Sequence, residues 1–455
     1  MGRYHSPVQA LARVVLLVAN PITYDGRVRR HASTLAEAGY DVCVLGVVGP
    51  NDRDEPPHGL PWGSAGEPTW RWHRLDRRRQ GLWPRLRWVT SASRQRTAQY
   101  AFDVAQQLAA GNGPAWLDAV RRPLAGLAIA TSAPDLAWAA VQERPDLIYA
   151  NDLDTLPAAA WAAQVCHVPF VYDAHEVYVD EHPALRANTR RARAYAEAHY
   201  CRQAAAVLTV NDLIARDLQQ RYGLALPAVV RNLPRLSPGD IAKPPAERPM
   251  GDPGTLHVLY HGAHIGQSQH GVDDLLRALA HLHAGPTDTL QVRLTLRGGL
   301  SRSEEDLLQR RIHQLGIASR VGLAPPVPGA EALVRSALAD GADVGLAVHP
   351  PLCLSYVYTT SSKVYEYQLA GLGVVASDVP GNRHSIAPGA GLFYPAGDAL
   401  RLAESLRLLA TQRDTLRTMQ QAAYQYAQSS LRWPDESQVL LDTIARALQH
   451  RQNVG

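Results

Sequence analysis

Short apolar runs and longer segments with helical periodicity alternate at the start of the chain. The run RVVLLVANP begins at Arg13, the segment DGRVRRHASTLAEAG follows with helical spacing of its apolar residues, and the run YDVCVLGVV comes next. Apolar runs of this length, bounded by turn residues, are typical of strands that a parallel sheet buries on both faces. This part of the chain therefore predicts a β-α-β unit.

The same alternation continues along the chain and restarts once. PDLIYAND, VPFVYDAHE and AAAVLTVND are apolar runs that end in polar residues, and LHVLYHG, LQVRLTLRGG, ADVGLAVHP and VVASD repeat the pattern beyond a segment rich in Pro and Gly that begins at Asn232. Alternating strands and helices predict doubly wound parallel sheets with ligands at the carboxyl ends of the strands. We expect two Rossmann-like α/β domains, residues 1–235 and 255–425, a linker at 236–254 and a terminal helix at 426–455.

Composition agrees with two globular domains. The chain has 455 residues, of which 46% are hydrophobic and 19% charged, and its net charge of +4 does not by itself indicate a nucleic-acid partner. Four scattered cysteines without a C-x-x-C pair are typical of reduced thiols in a cytosolic protein. No segment reaches about 18 uninterrupted apolar residues, so no membrane span is predicted. We expect a cytoplasmic protein.

An arginine-rich segment interrupts the first domain at about residues 65–100. From Arg71 to Arg96 there are nine arginines and a single acid, Asp76. Four of the nine tryptophans of the chain lie in or beside it: Trp70, Trp72, Trp83 and Trp88. Arg beside Trp suits an anionic lipid surface or a lipid-diphosphate acceptor, so residues 70–96 are a candidate for peripheral contact with the inner membrane face. A solvated loop insertion is equally consistent with this composition.

Two short motifs at strand ends leave alternatives open. The sequence NDLD places Asp152 and Asp154 after a predicted strand, which suits a metal site, an acceptor contact or simple loop capping. In YHGAHIGQSQHGVDD, Gly262 allows close approach of the backbone to a ligand, and the following helix N-terminus favours an anion. An ordinary strand-to-helix turn is the alternative. Neither G-x-G-x-x-G after the first strand nor G-x-x-x-x-G-K-[ST] occurs, which argues against dinucleotide-dependent redox and P-loop chemistry.

The segment TTSSKVYEYQLAGLGVVASDVPG, which begins at Thr359, has the most specific pattern. Its hydroxyl residues are natural helix N-caps, and a Gly pair ends the predicted helix. Lys363 is one of only two lysines in the chain, and Glu366 follows it by three residues. On the first turns of a helix these side chains share one face, where a cation and a diol acceptor would form a nucleotide cradle. A plain ion pair between the two is the alternative.

In order and spacing, these motifs resemble the retaining glycosyltransferases of family 4, which have the GT-B fold. NPITYDGRVRRHASTLAEAGYDV is similar to the opening loop and first helix of the family, PDLIYANDLDTL and VYDAHE to its acceptor-side loops, VLTVNDLIARDL and VVRNLP to its approach between the domains, and KVYEYQLAGLGVVASDVPG to its nucleotide-sugar signature. The resemblance covers nearly the whole chain. It implies two Rossmann-like domains facing across a cleft, with the terminal helix packing back toward the N-terminal domain.

The resemblance also implies site residues and a reaction. Glu366 would bind the ribose hydroxyls and Lys363 would lie near the phosphates of a nucleotide-diphosphate sugar. The remaining residues assigned to donor binding are Gly26 and Arg27, in a loop that closes on the donor, with Gly262, His264, His270 and Arg297. His175 would be the active-site histidine, with Glu176 and Asp152 beside it. Transfer with retention would proceed by same-face attack assisted by the leaving phosphate, so neither a protein nucleophile nor a metal cofactor is required.

Two positions depart from the family pattern. Tyr358 stands where the family often has a Glu, eight positions before Glu366, and His270 replaces a basic residue in Q-H-G, which makes a weaker and pH-dependent diphosphate partner. Arg297, in LRGG, is the candidate to compensate. The predicted acceptor is a polysaccharide, a lipid-linked glycan or a small metabolite, with no nucleic acid involved. A nucleotide-sugar epimerase of the same fold and an inactive nucleotide-sugar-binding scaffold are the alternatives.

Overall fold

The computed structural model describes residues 10–22, 25–48, 70–76, 91–108, 115–237, 244–247, 254–266, 271–283 and 290–452. The chain divides into two compact units, and its C-terminal end belongs to the first. Unit 1 consists of Met1–Arg231 and Asp435–Gly455, and unit 2 consists of Asn232–Pro434.

Unit 1 contains a seven-stranded parallel sheet with helices in its connections. The elements are β1 Arg13–Leu17, α1 Gly26–Glu37, β2 Asp41–Val48, β3 Arg71–Asp76, α2 Ser91–Leu108, α3 Ala115–Ile129, α4 Ala133–Gln142, β4 Leu147–Asn151, α5 Leu156–Cys166, β5 Phe170–Ala174, α6 Ala187–Cys201, β6 Ala206–Thr209, α7 Asp212–Tyr222 and β7 Ala228–Val229. The strand order is β3-β2-β1-β4-β5-β6-β7. The chain reverses direction across the sheet between β1 and β4, where the Asn151 amide donates to the Leu17 carbonyl at 3.0 Å.

Unit 2 contains a six-stranded parallel sheet in the order β10-β9-β8-β11-β12-β13. Its elements, with the terminal helix, are β8 Thr255–His264, α8 Val272–Leu282, β9 Gln291–Gly299, α9 Arg302–Gln314, β10 Val321–Ala324, α10 Gly329–Ala339, β11 Val344–Ala347, α11 Leu354–Tyr358, α12 Ser362–Leu369, β12 Gly373–Ser377, α13 Pro380–Ser385, β13 Gly391–Tyr394, α14 Ala399–Thr411, α15 Arg413–Ser430 and α16 Trp433–Gln452. The reversal lies between β8 and β11. In open α/β sheets, ligands bind at the carboxyl ends of the strands beside such a reversal.

The predicted strands and helices are present, because the apolar runs fill the core as their pattern requires. Val14 and Leu16 of β1 and Tyr149 of β4 are fully buried in the core of unit 1. Leu440 and Ile444 of α16 belong to the same cluster, so the terminal helix supplies part of this core. Asn211 caps the start of α7, where its side chain accepts from the Ile214 N–H, and Gly223 caps the end of the helix in the left-handed region.

The interpretation of the arginine-rich segment as a loop is wrong at both of its ends. Residues 71–76 form the edge strand β3 and residues 91–108 form α2, while residues 77–90 lie outside the described residues. In β3, exposed Arg71 and His73 alternate with half-buried Trp72 and Arg74. That period of two suits a half-buried edge strand, and the run of arginines obscured it in the sequence.

By length and hydropathy, no single helix in the described part of the chain could cross a bilayer. One pair of helices, Trp116–Ile129 and Ala133–Gln142, which meet at 95°, passes that test only when taken together.

Gly345 allows α12 to lie close against β11. A Cβ at this position would lie 2.1 Å from Cγ of Tyr367, far inside any contact that real side chains make. The Tyr367 hydroxyl accepts from the His261 N–H and donates to the Leu346 carbonyl, each at 3.2 Å. The tyrosine therefore fixes α12 to the ends of two strands of the sheet.

We expect Gly345→Ala to destabilise unit 2 by about 1–3 kcal/mol, because the added methyl group overlaps a fully buried ring. Gly322→Ala is the matched control, since Gly322 also lies in a strand but nothing lies within 4 Å of its Cβ position. Urea unfolding of both variants measures the difference. Equal free energies of unfolding for the two would contradict the close packing of α12.

Candidate active site

A group of charged side chains lies at the end of β5 in unit 1. Asp173 is the fourth residue of the strand and His175 follows its last residue, so their side chains leave the strand on the same face. Asp173 is fully buried. The side chain of His175 is 17% exposed. A buried carboxylate therefore lies beneath a histidine that reaches the surface of the unit.

Both ring nitrogens of His175 face carboxylates. Nδ1 lies 2.7 Å from Oδ1 of Asp152, and Nε2 lies 3.1 Å from Oδ2 of Asp173. Asp152 follows β4 in the left-handed region, at φ 67°, and its N–H donates to the Asp173 carbonyl. Asp152 also accepts from the Tyr178 hydroxyl. The backbone turn after β4 thus brings the first carboxylate of NDLD to the histidine.

Asp173 is held on its other side by α1. Arg27 donates from Nε to Oδ2 at 3.0 Å and from Nη2 to Oδ1 at 2.8 Å, a bidentate pair. The Tyr149 hydroxyl donates to Oδ2 at 2.8 Å, and Nδ1 of His31 lies 2.9 Å from the same hydroxyl. The side chains around Asp173 thus come from α1 (Arg27 and His31), from β4 (Tyr149) and from the end of β5 (His175).

Electrostatics make His175 a cation. Burial opposes its charge, but Asp152 and Asp173 outweigh burial and raise the pKa of His175 to about 10. Burial together with Arg27 lowers the pKa of His31 well below its ordinary value, so this second histidine is neutral. With Arg27 and His175 positive and Asp152 and Asp173 negative, the cluster is balanced. At neutral pH His175 is an imidazolium that can stabilise negative charge, and it cannot serve as a general base.

The raised pKa of His175 predicts that stability falls at alkaline pH. A histidine whose folded pKa lies above its unfolded value of about 6.5 contributes stability fully below pH 6.5, and this contribution is lost as pH rises toward 10. We expect the free energy of unfolding of the wild type to fall relative to that of His175→Gln between pH 7 and about 10. The comparison with the variant cancels the opposite contribution of Lys363, whose pKa burial lowers to about 8. Urea unfolding at several pH values measures both, and parallel curves for the two proteins would contradict the assignment.

Glu176 and Gly26 lie beside this cluster. Glu176 is half-buried and follows His175, and its charge contributes to the raised pKa of Tyr178, after burial and Asp152. The expectation that Gly26 and Arg27 form a loop is wrong, because both lie in the first turn of α1, which Asp25 caps. Arg27 is 5% exposed and also donates to the Val230 carbonyl. The contact of Arg27 with a nucleotide-sugar donor stays a prediction.

In unit 2 the predicted cradle residues share one end of the sheet. Lys363 and Glu366 are both buried on the first turns of α12, as the sequence predicted. Nζ of Lys363 lies 4.6 Å from the ring centroid of Tyr260, and Oε2 of Glu366 lies 3.2 Å from Nε2 of His261. Tyr260 and His261 are neighbours in β8. The carboxylate and the ammonium thus face the end of the strand beside the reversal of the chain.

Burial governs the charges of this group. It lowers the pKa of Lys363 to about 8, although Glu366 acts in the opposite direction. Burial, with Lys363 and Arg297, lowers the pKa of His261 well below its ordinary value, so His261 is neutral beside Glu366. The ammonium group of Lys363 forms no hydrogen bond or ion pair with any described residue. A buried ammonium without such a partner is costly, and an anionic ligand would relieve that cost.

Among the other residues predicted to bind the sugar donor, Arg297 and His264 have partners within unit 2. Arg297 lies beside His261 in the register of β8 and β9, and its guanidinium binds Asp340 and the Pro325 carbonyl. Nε2 of His264 lies 2.7 Å from Oε1 of Glu304, which also closes the capping box of α9. Gly262 lies in the irregular end of β8, and His270 lies outside the described residues. Contacts of these residues with a donor stay predictions.

Two family models match the chain, one in each unit. The model described as Glycosyltransferase Family 4 matches residues 119–232, which include Asp152, Asp173 and His175. The model described as Glycosyl transferases group 1 matches residues 255–412, which include Lys363 and Glu366. Together they match more than half of the chain. The chain belongs to the family 4, group 1 glycosyltransferases.

Solved structures share the fold of this glycosyltransferase-family chain over almost its whole length. Anabaena Alr3699/HepE in complex with UDP-glucose has a TM-score of 0.62 and 18% identity, covering 95% of this chain and 99% of that one. Sucrose-phosphate synthase from Thermosynechococcus elongatus has 0.64 and 17%, covering 96% and 99%. The α,α-trehalose 6-phosphate synthase from Burkholderia multivorans has 0.57 and 15%, covering 98% and 99%. These likenesses confirm the predicted GT-B class of fold. Among curated proteins, no sequence matches significantly.

Several residues of the groups around His175 and Lys363 were not identified from the sequence. Asp173, Tyr149 and His31 were not singled out in unit 1, and His261 was not singled out in unit 2. A local signal existed for two of them: Asp173 precedes His175 by two residues on a strand, and His31 follows Arg27 by four on a helix.

One trio in the described part of the chain has the spacing of metal ligands: Cys43, His73 and Glu143. They lie on β2, on β3 and at the C-cap of α4, away from the residues of the His175 cluster. Arg71 donates to Glu143 at 2.9 Å, and burial raises the pKa of the Cys43 thiol to about 12, which opposes the thiolate that a metal needs.

Proposed function

We propose that this chain transfers a sugar from a nucleoside-diphosphate donor to a hydroxyl acceptor, with retention at the anomeric carbon. The observation that carries the proposal is the pair on α12. Lys363 is a buried ammonium with no hydrogen bond or ion pair in the described structure, and Glu366 is a buried carboxylate three residues further on. A diphosphate supplies the anion that the lysine lacks. A ribose supplies vicinal hydroxyls that a carboxylate can accept from.

In this proposal the protein contributes orientation and charge stabilisation. Glu366 accepts hydrogen bonds from the ribose and Lys363 binds the diphosphate. His175, held as an imidazolium by Asp152 and Asp173, stabilises negative charge that develops during transfer. Because both of its ring nitrogens face carboxylates, His175 is neither the nucleophile nor the base. The leaving phosphate takes the proton of the attacking hydroxyl on the same face of the sugar, so the configuration is kept.

Cations of the protein can carry this charge stabilisation, so we propose that the reaction needs no metal ion. A uridine diphosphate sugar is the first donor to test, since the HepE structure with this fold is a complex with UDP-glucose. A glycan, a lipid-linked glycan or a small metabolite would be the acceptor, and polysaccharide biosynthesis in the cytoplasm is the setting that we propose.

The direct test is a thermal-shift screen of the full chain against nucleotide sugars, because a ligand that binds the folded state raises apparent stability. The donor that gives the largest shift is then incubated with candidate acceptors, with and without EDTA. We expect a glycoside that retains the anomeric configuration of the donor, in equal yield under both conditions. Rearranged donor without an acceptor product would instead indicate an epimerase, and binding without turnover would indicate a scaffold.

We expect Lys363→Met to weaken UDP binding by about 10- to 150-fold, since one charge-assisted contact to phosphate contributes about 1.5–3 kcal/mol. Because the pKa of Lys363 is about 8 in the free protein, wild-type affinity should fall as pH rises above 8. That additional loss should be absent in the variant. Lys243→Met is the matched control, since Lys243 is the other lysine of the sequence. Calorimetry from pH 6.5 to 9.5 measures both effects, and equal affinities for the two variants would contradict the phosphate assignment.

A further inference from the structure

Helices α2 and α3 of unit 1 form an antiparallel hairpin, the α2–α3 hairpin. Near the start of α2, Gln95 donates to the Ala128 carbonyl near the end of α3, at 3.0 Å. Toward the other end, Arg121 donates to the side chain of Gln106, also at 3.0 Å. The end of α2 and the start of α3 therefore lie together.

The inner face of the hairpin closes against α6. Ala98, Phe102 and Ala105 of α2 are buried, and the ring centroid of Phe102 lies 5.8 Å from that of Tyr195. The buried residue Leu117 continues this face on α3. These buried side chains pack the hairpin onto unit 1. They are different residues from the apolar ones on its outer face.

The outer face exposes a second set of apolar side chains. Tyr100, Val104 and Leu108 follow one another at four-residue spacing on α2, with 71%, 37% and 68% exposed. On α3, Trp116 and Val120 have the same spacing, with 62% and 44% exposed. These are five of the twelve large hydrophobic residues that are exposed in the described structure. A solvent-facing helix normally carries polar residues there, so the clustering indicates an interaction surface.

Charge around this apolar surface is positive. Arg96 and Arg122 are exposed and form no ion pair with any described residue. The first turns of α2 belong to the segment 71–96, which has nine arginines and one acid in the sequence. Each acid of the hairpin has a partner: Asp103 accepts from Asn188 at 2.6 Å, and Asp118 pairs with Arg121 of the same helix. Apolar stripes bordered by arginine, with Trp and Tyr among them, suit the interface of an anionic bilayer.

We propose that the α2–α3 hairpin docks this protein on a membrane surface that contains anionic lipid. Tyr100, Leu108 and Trp116 enter the boundary between headgroups and acyl chains, and Arg96 and Arg122 bind the headgroups. The excess of arginine favours anionic lipid over a second protein as the occupant. The inference goes beyond the proposed function, because docking requires neither donor binding nor transfer.

The matched variants replace exposed apolar residues inside and outside the hairpin. The hairpin variant is Leu108→Ser with Trp116→Ser. The control variant is Leu307→Ser with Trp138→Ser, the same residue types at exposed positions of α9 and α4. Surface substitutions of this kind change stability by about 0.5 kcal/mol or less, which thermal unfolding of each variant checks.

Flotation of the full chain with lipid vesicles measures docking. Vesicles of phosphatidylcholine alone are compared with vesicles that contain about 30% phosphatidylglycerol, at low salt and at about 0.3 M salt. We expect the wild type and the control variant to float with anionic vesicles only, less at high salt, and the hairpin variant to bind about tenfold more weakly. Absence of wild-type flotation, equal binding of the two variants or equal binding to neutral vesicles would overturn the proposal. If the wild type does not float and sedimentation shows that it is a dimer while the hairpin variant is a monomer, the partner of the hairpin is a second copy of the chain and not a membrane.

Discussion

Replacing Asp173 with alanine is expected to cost unit 1 about 3–5 kcal/mol of unfolding free energy, because it leaves a buried charge without its partner. Arg27 is 5% exposed, and Asp173 is its bidentate acceptor. The same substitution removes an acceptor from Tyr149 and one of the two carboxylates around His175. A loss of this size is large against a typical total of about 5–15 kcal/mol.

Denaturant unfolding of the full chain measures this effect. Asp217→Ala is the control, since Asp217 pairs with Arg221 four residues away on a partly exposed face of α7, where a pair contributes about 0.3–0.5 kcal/mol. The double variant with Arg27→Met separates charge from packing. If Arg27 is the charge left uncompensated, the double variant should be more stable than Asp173→Ala alone. A loss below about 1 kcal/mol in Asp173→Ala would contradict the assignment of Asp173 as the anchor of the cluster.

Replacing Glu366 with alanine is expected to weaken UDP binding by about 10- to 100-fold, because hydrogen bonds from the ribose to a carboxylate are charge-assisted. The sharper expectation concerns discrimination between ligands. The wild type should prefer UDP to 2′-deoxy-UDP, which lacks one of the two hydroxyls, and Glu366→Ala should bind the two alike.

Calorimetry with both nucleotides measures affinity and discrimination together, so a general loss of folding is distinguished from loss of the ribose contact. Glu305→Ala, at an exposed position of α9, is the matched control and should keep the wild-type preference. If Glu366→Ala retains the preference for UDP, the ribose assignment is wrong even when its overall affinity is reduced.

The fold was predictable because its strands are buried on both faces. Residues 14–17 of β1 and 374–376 of β12, for example, form uninterrupted apolar runs, and this pattern can be recognised without knowledge of the residues that pack against them. Strand β3 was not predictable in the same way. β3 is a half-buried edge strand in which Arg71 and His73, on either side of Trp72, are exposed. The composition of the strand therefore resembles that of a charged loop.

The candidate site was predictable only where its members are close in sequence. Lys363 and Glu366 are three residues apart on one helix, so their common face follows from helical spacing. Arg27 and Asp173 are 146 residues apart, and nothing local to either residue indicates the pair. The placement of Arg27 in a loop came from the family resemblance, although the segment DGRVRRHASTLAEAG has helical spacing. The helical position of Arg27 is a local property, but the acceptor of its guanidinium is set by the order of strands in the sheet.

In any relative that keeps this arrangement of β11 and α12, the residues at positions 345 and 367 constrain each other, because the ring at 367 occupies the space of a side chain at 345. An aromatic ring at position 367 can rest on the strand only above a glycine, and its hydroxyl reaches the backbone at His261 only from there. We therefore expect the two positions to change together among homologous chains, glycine accompanying tyrosine and a larger residue accompanying a smaller one. A homologue with a bulky residue opposite tyrosine would have to move its helix outward, separating the carboxylate of that helix from the histidine on the neighbouring strand.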